Sequence, residues 1–232
     1  MRLQTVIQNL AHPDTRATTA SLKSINLGFD IGPQDFYLLA EKDFETDNTV
    51  NCLSNAKRAL DAQVNSLLIV FGFDNKLRKS FPDKIEILNA VGVIAPRILL
   101  KINEQRNLLE HEFKRPNKDK VEDFLNITAL FLASTSRYIN NFPETASLSN
   151  KNPKFHLNIY LHYKTNQIEI QDSNYYCDAN HINIAKYYLH FKDRENKFTA
   201  DKTLNARRII LDIRNEEYKP LLKEYLRLTV RL

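Results

Sequence analysis

The apolar residues change their period once along the chain, and that change constrains the architecture more than any other feature. From Leu53 to Tyr138 they recur at the three-to-four-residue spacing of amphipathic helices. Between Phe155 and Tyr163 they recur at every second position, with His156, Asn158, Tyr160 and His162 between them, as in a strand buried on one face. The chain therefore reads as an α+β protein: a mainly α-helical up-and-down bundle over residues 1–142, a linker at 143–152, and a small β-rich domain at 153–232. The linker reading rests on Pro143-Glu144-Thr145-Ala146-Ser147-Leu148-Ser149-Asn150, whose proline, serines and asparagine are turn formers.

Within the helical part, Pro33 suits the first position of a helix through Leu39. Thr46-Asp47-Asn48 offers caps for a long helix with Leu53, Ala56, Leu60, Val64, Leu67 and Phe71 in one stripe. A helix from Asp83 to Val91 turns Ile85, Leu88 and Val91 inward, and Gly92 and Pro96 interrupt it. The next helix, Pro96 to about Glu112, aligns Leu99, Ile102, Arg106, Leu109 and Phe113. Asn117 caps the last, which carries Val121, Phe124, Thr128, Phe131, Thr135 and Tyr138 on one face. Residues 1–30 show short helical stretches without a strong pattern. Beyond the linker, Thr165-Asn166 turns the strand into Ile168-Glu169-Ile170; further strands are expected at 182–191 and 208–213, and a helix from Pro220.

Composition excludes several functions. No stretch approaches the roughly 18 consecutive apolar residues of a membrane helix, and Met1-Arg2-Leu3-Gln4-Thr5 lacks a signal-like apolar core, so a cytoplasmic protein without a membrane partner is expected. The 4 glycines, Gly28, Gly32, Gly72 and Gly92, are too scattered for a dinucleotide fingerprint or a P-loop, and no cofactor is expected. Cys52 and Cys177 are too few for a disulfide framework. Cys177 and His181 alone do not make a metal site, which needs further ligands at supporting spacing. Residues 151–232 hold 15 Lys and Arg against 10 Asp and Glu, so they carry the whole net charge of +5. A basic part is compatible with nucleic acid, although a solvated surface is the better explanation of so small an excess.

One motif carries chemistry. Arg106-Asn107-Leu108-Leu109-Glu110-His111 closes a late helix, a proline-bounded turn follows, and another long amphipathic helix comes next. Arginine, four to six residues, then histidine is the signature of the HEPN family, which residues 45–142 resemble, including the early helix around Leu53–Asp61. The resemblance implies a metal-independent endoribonuclease in active members and a non-catalytic RNA-binding or protein-interaction module in others. His111 would act as general acid and base, and Arg106 would bind the scissile phosphate. Asn107 would orient either group, and Glu110, one turn after Arg106, would hold the guanidinium. Lys114 and Arg115, together with Lys57 and Arg58 on the long helix, are candidate contacts to the RNA backbone. The expected partners are RNA, a second copy of the chain joined through the helical domain, and, if the protein is a toxin or defence effector, an antitoxin or other protein.

Geometry complicates the motif. Five positions turn a helix by about 140°, so Arg106 and His111 do not share a face. They converge only if the helix frays or a dimer partner completes the site. A second feature is the aromatic, mildly basic strand face of His156, Tyr160 and His162, followed by Tyr175, Tyr176, Tyr187, Tyr188 and His190, where bases could stack.

Overall fold

The computed structural model describes residues 3–93, 99, 117–151, 155–172 and 208–230. These form a mixed helix and antiparallel-sheet protein, in agreement with the α+β expectation. In chain order the elements are α1 (Leu3–Ala11), β1 (Arg16–Lys23), α2 (Pro33–Glu45), α3 (Thr49–Val70), α4 (Phe81–Ala90), α5 (Lys118–Thr135), α6 (Arg137–Asn140), β2 (Phe142–Ser149), β3 (His156–His162), β4 (Gln167–Asp172), β5 (Arg208–Asp212) and α7 (Tyr218–Thr229). The expected strand at 182–191 lies outside the described residues.

Two compact units divide the chain. One gathers residues 1–21, 144–162 and 167–231; the other holds 22–143 and 163–166.

The helical unit follows the sequence pattern closely. Pro33 opens α2, and the Asp35 carboxylate accepts a hydrogen bond from the Gly32 amide at 2.8 Å, satisfying a donor that the helix leaves unpaired. Asn48 caps α3 and Asn117 caps α5, the latter with its side-chain oxygen 2.8 Å from the Asp119 amide. On α3, Ala56, Leu60, Val64 and Leu67 are buried, and so are Cys52, Ala59, Gln63, Ser66, Leu68 and Val70. The wider buried surface follows from α3's place in its unit, where α2, α4 and α5 all pack against it. All six inward residues expected from Val121 to Tyr138 are buried. Leu99 is helical and 2% exposed.

The sheet unit departs from expectation in two places. The stretch read as a linker is strand β2, in which Ala146 and Leu148 are buried and Ser147 and Ser149 are half-buried. The alternation is carried by small and hydroxyl side chains, a weak hydrophobic signal, and Pro143 is tolerated because it stands at the strand's start. The second departure is β1, a strand within the region expected to be helical. Its alanines and threonines give no clear period, and it ends the five-stranded order β1-β2-β3-β4-β5. Arg16 and Lys23 bracket it, the charge pattern of an edge strand. The strands from β2 to β5 pair antiparallel in sequence order, with Ile159 opposite both Ala146 and Ile170 and Ile168 opposite Leu211. Asn166, at φ 56°, makes the tight turn between β3 and β4.

The apolar sheet face, Ala146, Leu148, Leu157, Ile159, Leu161, Ile168, Ile170 and Leu211, is buried throughout. So are Leu221, Leu222, Tyr225, Leu226 and Leu228 of α7 and Val6 and Leu10 of α1. The Arg227 guanidinium ties these helices together by donating to the Leu10 carbonyl at 2.7 Å. Burial, with the Glu144 carboxylate nearby, holds the Tyr225 hydroxyl well above the ordinary tyrosine range.

Candidate functional site

Arg106, Asn107, Glu110, His111, Lys114 and Arg115 lie outside the described residues, as do Tyr175, Tyr176, Cys177, His181, Tyr187, Tyr188 and His190. The two other candidate RNA contacts, Lys57 and Arg58, are placed on α3, with Lys57 half-buried and Arg58 exposed. Arg58 donates to the Asn55 side-chain oxygen at 3.2 Å, while the Asn55 amide donates to Asp43 at 2.8 Å. This relay links α3 to the end of α2 and draws the guanidinium into a structural role alongside its exposure.

The face of the sheet opposite the apolar one holds the densest chemistry among the described residues. Strand alternation puts Asn158, Tyr160 and His162 on one side of β3. Register then aligns Thr145, Tyr160, Glu169 and Ile210 across four strands, and sets Ser147, Asn158 and Gln171 in the neighbouring row. Ser147 donates to the Asn158 oxygen at 2.7 Å. Glu169 is 4% exposed and Gln171 6%. The Gln171 amide donates to Glu169 Oε1 at 2.6 Å, and His162 Nε2 lies 3.2 Å from Glu169 Oε2. A carboxylate so far from water needs such partners, because desolvation penalises its charge.

His162 is the open end of this network, with its side chain 44% exposed. One ring nitrogen faces a buried carboxylate, which sets the ring's orientation. Tyr160 lies beside it, the two rings within 9° of parallel and their centroids 6.4 Å apart. Among the described residues, Gln171 Oε1 is a buried acceptor without a hydrogen-bond partner. The arrangement can hold a flat ligand against the rings and offer it an oriented imidazole.

The sequence pointed to Tyr160 and His162 and missed Glu169 and Gln171. The available signal was their alternation with Ile168 and Ile170, which puts them on the polar side of β4. Their burial, and therefore their importance, depends on pairing with β3 and β5, which no local pattern encodes.

Among the described residues, no three histidine, cysteine, aspartate or glutamate side chains cluster in a way that could hold a metal ion. No described helix is long and apolar enough to cross a membrane. No family model matches the chain, and neither a curated protein nor a solved structure is significantly similar to it.

Proposed function

We propose that the chain is a metal-independent endoribonuclease of the HEPN type. The observation that carries this reading is the Arg106-Asn107-Leu108-Leu109-Glu110-His111 motif, set in sequence between α4 and α5. It is supported by its setting: Leu99, the first residue of the motif's apolar row, is buried, and the capped helix α5 follows directly.

In this reading the RNA supplies its own nucleophile. A 2′-hydroxyl oxygen bonds to the adjacent phosphorus as the bond to the 5′-oxygen of the next nucleotide breaks. His111 takes the hydroxyl proton or returns one to the leaving oxygen. Arg106 holds the non-bridging oxygens through its planar fork and stabilises the charge that grows on them. Glu110 fixes the guanidinium and Asn107 orients the reacting groups. The products are a 2′,3′-cyclic phosphate and a 5′-hydroxyl. Because five positions on a helix turn by about 140°, a helix carrying the motif would not bring Arg106 and His111 to one face, so the reading includes a two-fold dimer through the helical unit, with both motifs in a shared cleft. Toxin or defence activity restrained by an antitoxin is the biological role that fits such chemistry.

The test is incubation of purified protein with mixed RNA in EDTA. Cleavage should persist and leave cyclic phosphate ends, while DNA and 2′-methoxy RNA should resist. His111→Ala should slow cutting by roughly 10²–10⁴-fold, the usual loss of a general acid–base. Arg106→Ala should cost a similar factor, and Arg106→Lys should not restore it fully, since an ammonium lacks the fork. Activity abolished by EDTA, or an Arg106→Ala protein whose helical unit melts at lower temperature while its folded fraction keeps full specific activity, would overturn the assignment.

A further inference from the structure

We infer that Tyr160 and His162 form a stacking platform for single-stranded RNA bases on the polar face of the sheet, held in shape by buried Glu169 and Gln171. The inference rests on the reading of the chain as an RNA-acting protein and supplies what the motif lacks, a means of gripping the substrate by its bases.

The spacing of the rings is the first argument. Nearly parallel rings with centroids 6.4 Å apart stand at the wide end of aromatic pairing. If they lie side by side they make a flat tile; if face to face, the gap is close to twice the roughly 3.4 Å rise of stacked nucleotides. Either way, the shape that adds most contact is another flat aromatic ring.

The second argument is rigidity. An exposed imidazole on a strand ordinarily samples several rotamers, and ordering it on binding costs free energy. Here that ordering is already in place, because His162 faces Glu169 Oε2 and Gln171 secures Glu169 Oε1. Stability is a weak reason for keeping the network. A buried carboxylate is costly to keep, and well-packed apolar residues of the same volume often serve a sheet as well or better.

The surroundings supply the third argument. Ile210, in register with Glu169 and therefore in Tyr160's row, is 48% exposed on this otherwise polar face. An open apolar side chain in the row of a ring pair suits the flat apolar face of an unpaired base.

Fluorescence anisotropy on the full chain tests this, with a labelled single-stranded 2′-methoxy RNA of about 10 nucleotides, within the usual site sizes. The methoxy groups block attack by the 2′-oxygen, so binding is read without cleavage. Tyr160→Ala and His162→Ala should each weaken binding by roughly 5- to 150-fold, the range for loss of one stacked base. Tyr160→Phe should stay within about twofold, since it keeps the ring. A duplex of the same sequence should compete poorly, its bases being already stacked. Circular dichroism and thermal melting verify that each variant is folded. If folded Tyr160→Ala binds like the parent, or duplex competes as well as single strand, the platform is wrong. The failures are separable. Cleavage lost in His111→Ala with Tyr160-independent binding sinks the platform and leaves the nuclease; Tyr160-dependent binding without any cleavage does the reverse.

Discussion

The two units each bury polar side chains, and they treat them differently. In the helical unit the Gln63 amide of α3 donates to Thr135 Oγ1 of α5 at 2.8 Å, and that hydroxyl donates onward to the Phe131 carbonyl at 2.6 Å. The chain of bonds is closed inside the core, with Gln63 3% and Thr135 0% exposed. In the sheet unit, Glu169 and Gln171 are buried to a similar degree, but their network runs outward to a histidine in water and leaves the Gln171 oxygen unpaired among the described residues. A closed network fixes helices against each other and asks nothing of a ligand. An open one keeps a polar group poised at the surface, which is the arrangement of a site. The difference separates scaffold from candidate function within one chain.

The sharpest way to break the comparison is to disturb the sheet unit from the distant N-terminus. Leu10 of α1 is 0% exposed, and its carbonyl accepts from Arg227 of α7. Leu10→Ala should lower unfolding stability by about 2–5 kcal/mol, the range for a large-to-small core change. Urea denaturation measures the loss and hydrogen exchange locates it. Amides of β2, β3 and α7 should exchange faster, whereas those of α2 and α3 should change little. Faster exchange confined to α2 and α3 would mean that α1 belongs with the helical unit after all.

A smaller effect tests the closed network. Thr135→Val keeps the shape but leaves the Gln63 amide buried without its acceptor, at a cost of about 1–3 kcal/mol. Replacing both, with Gln63→Leu added, should recover most of that loss, because two apolar partners need no hydrogen bond. Urea midpoints of the single and double variants decide the matter; a double variant no better than Thr135→Val would show that packing rather than pairing governs the site.

The same contrast explains what could be read from the sequence. The helical unit is built from contiguous amphipathic segments, so local periodicity and caps such as Asn48 and Asn117 were enough to find α2 to α5 and most inward residues of α3 to α5, although Leu53 is only half-buried. The sheet unit is assembled from distant pieces, with residues 24–141 lying between β1 and β2 in sequence. Where a strand carried large alternating residues, as at Leu157, Ile159 and Leu161, it was legible alone. Where it was built from alanine, serine and threonine, as in β1 and β2, only its neighbours define it as a strand. The polar row was legible by half for the same reason: Tyr160 and His162 announce themselves along β3, while Glu169 gains its meaning from being opposite Tyr160. The Arg106–His111 motif was legible only as a resemblance, since its spacing alone sets the two side chains on different faces.

The finest test returns to the helical unit and concerns a proton. Cys52 is 0% exposed near the start of α3, where the helix dipole alone would favour a thiolate. Burial wins, and with the nearby Asp43 carboxylate it pushes the thiol from 9.0 to about 11. The folded state thus holds this proton more tightly than the unfolded chain, so the group's contribution is complete below pH 9 and is lost as pH rises through about 11. Tyr37 titrates next to it and in the same sense: burial, then hydrogen bonding to Glu41 and its charge, then Cys52, push it up to about 12. The two contributions are separated by subtraction. Stability of the parent should fall between pH 9 and 11 more steeply than that of Cys52→Ala, by at most about 1.4 kcal/mol per pH unit, the value of one proton. Below pH 8 the two proteins should differ only by a constant packing term. Urea denaturation of both across that range is the measurement. Parallel curves throughout would show that Cys52 ionises as easily in the folded protein as in the unfolded chain, and that the first turn of α3 is more open to water than its burial implies.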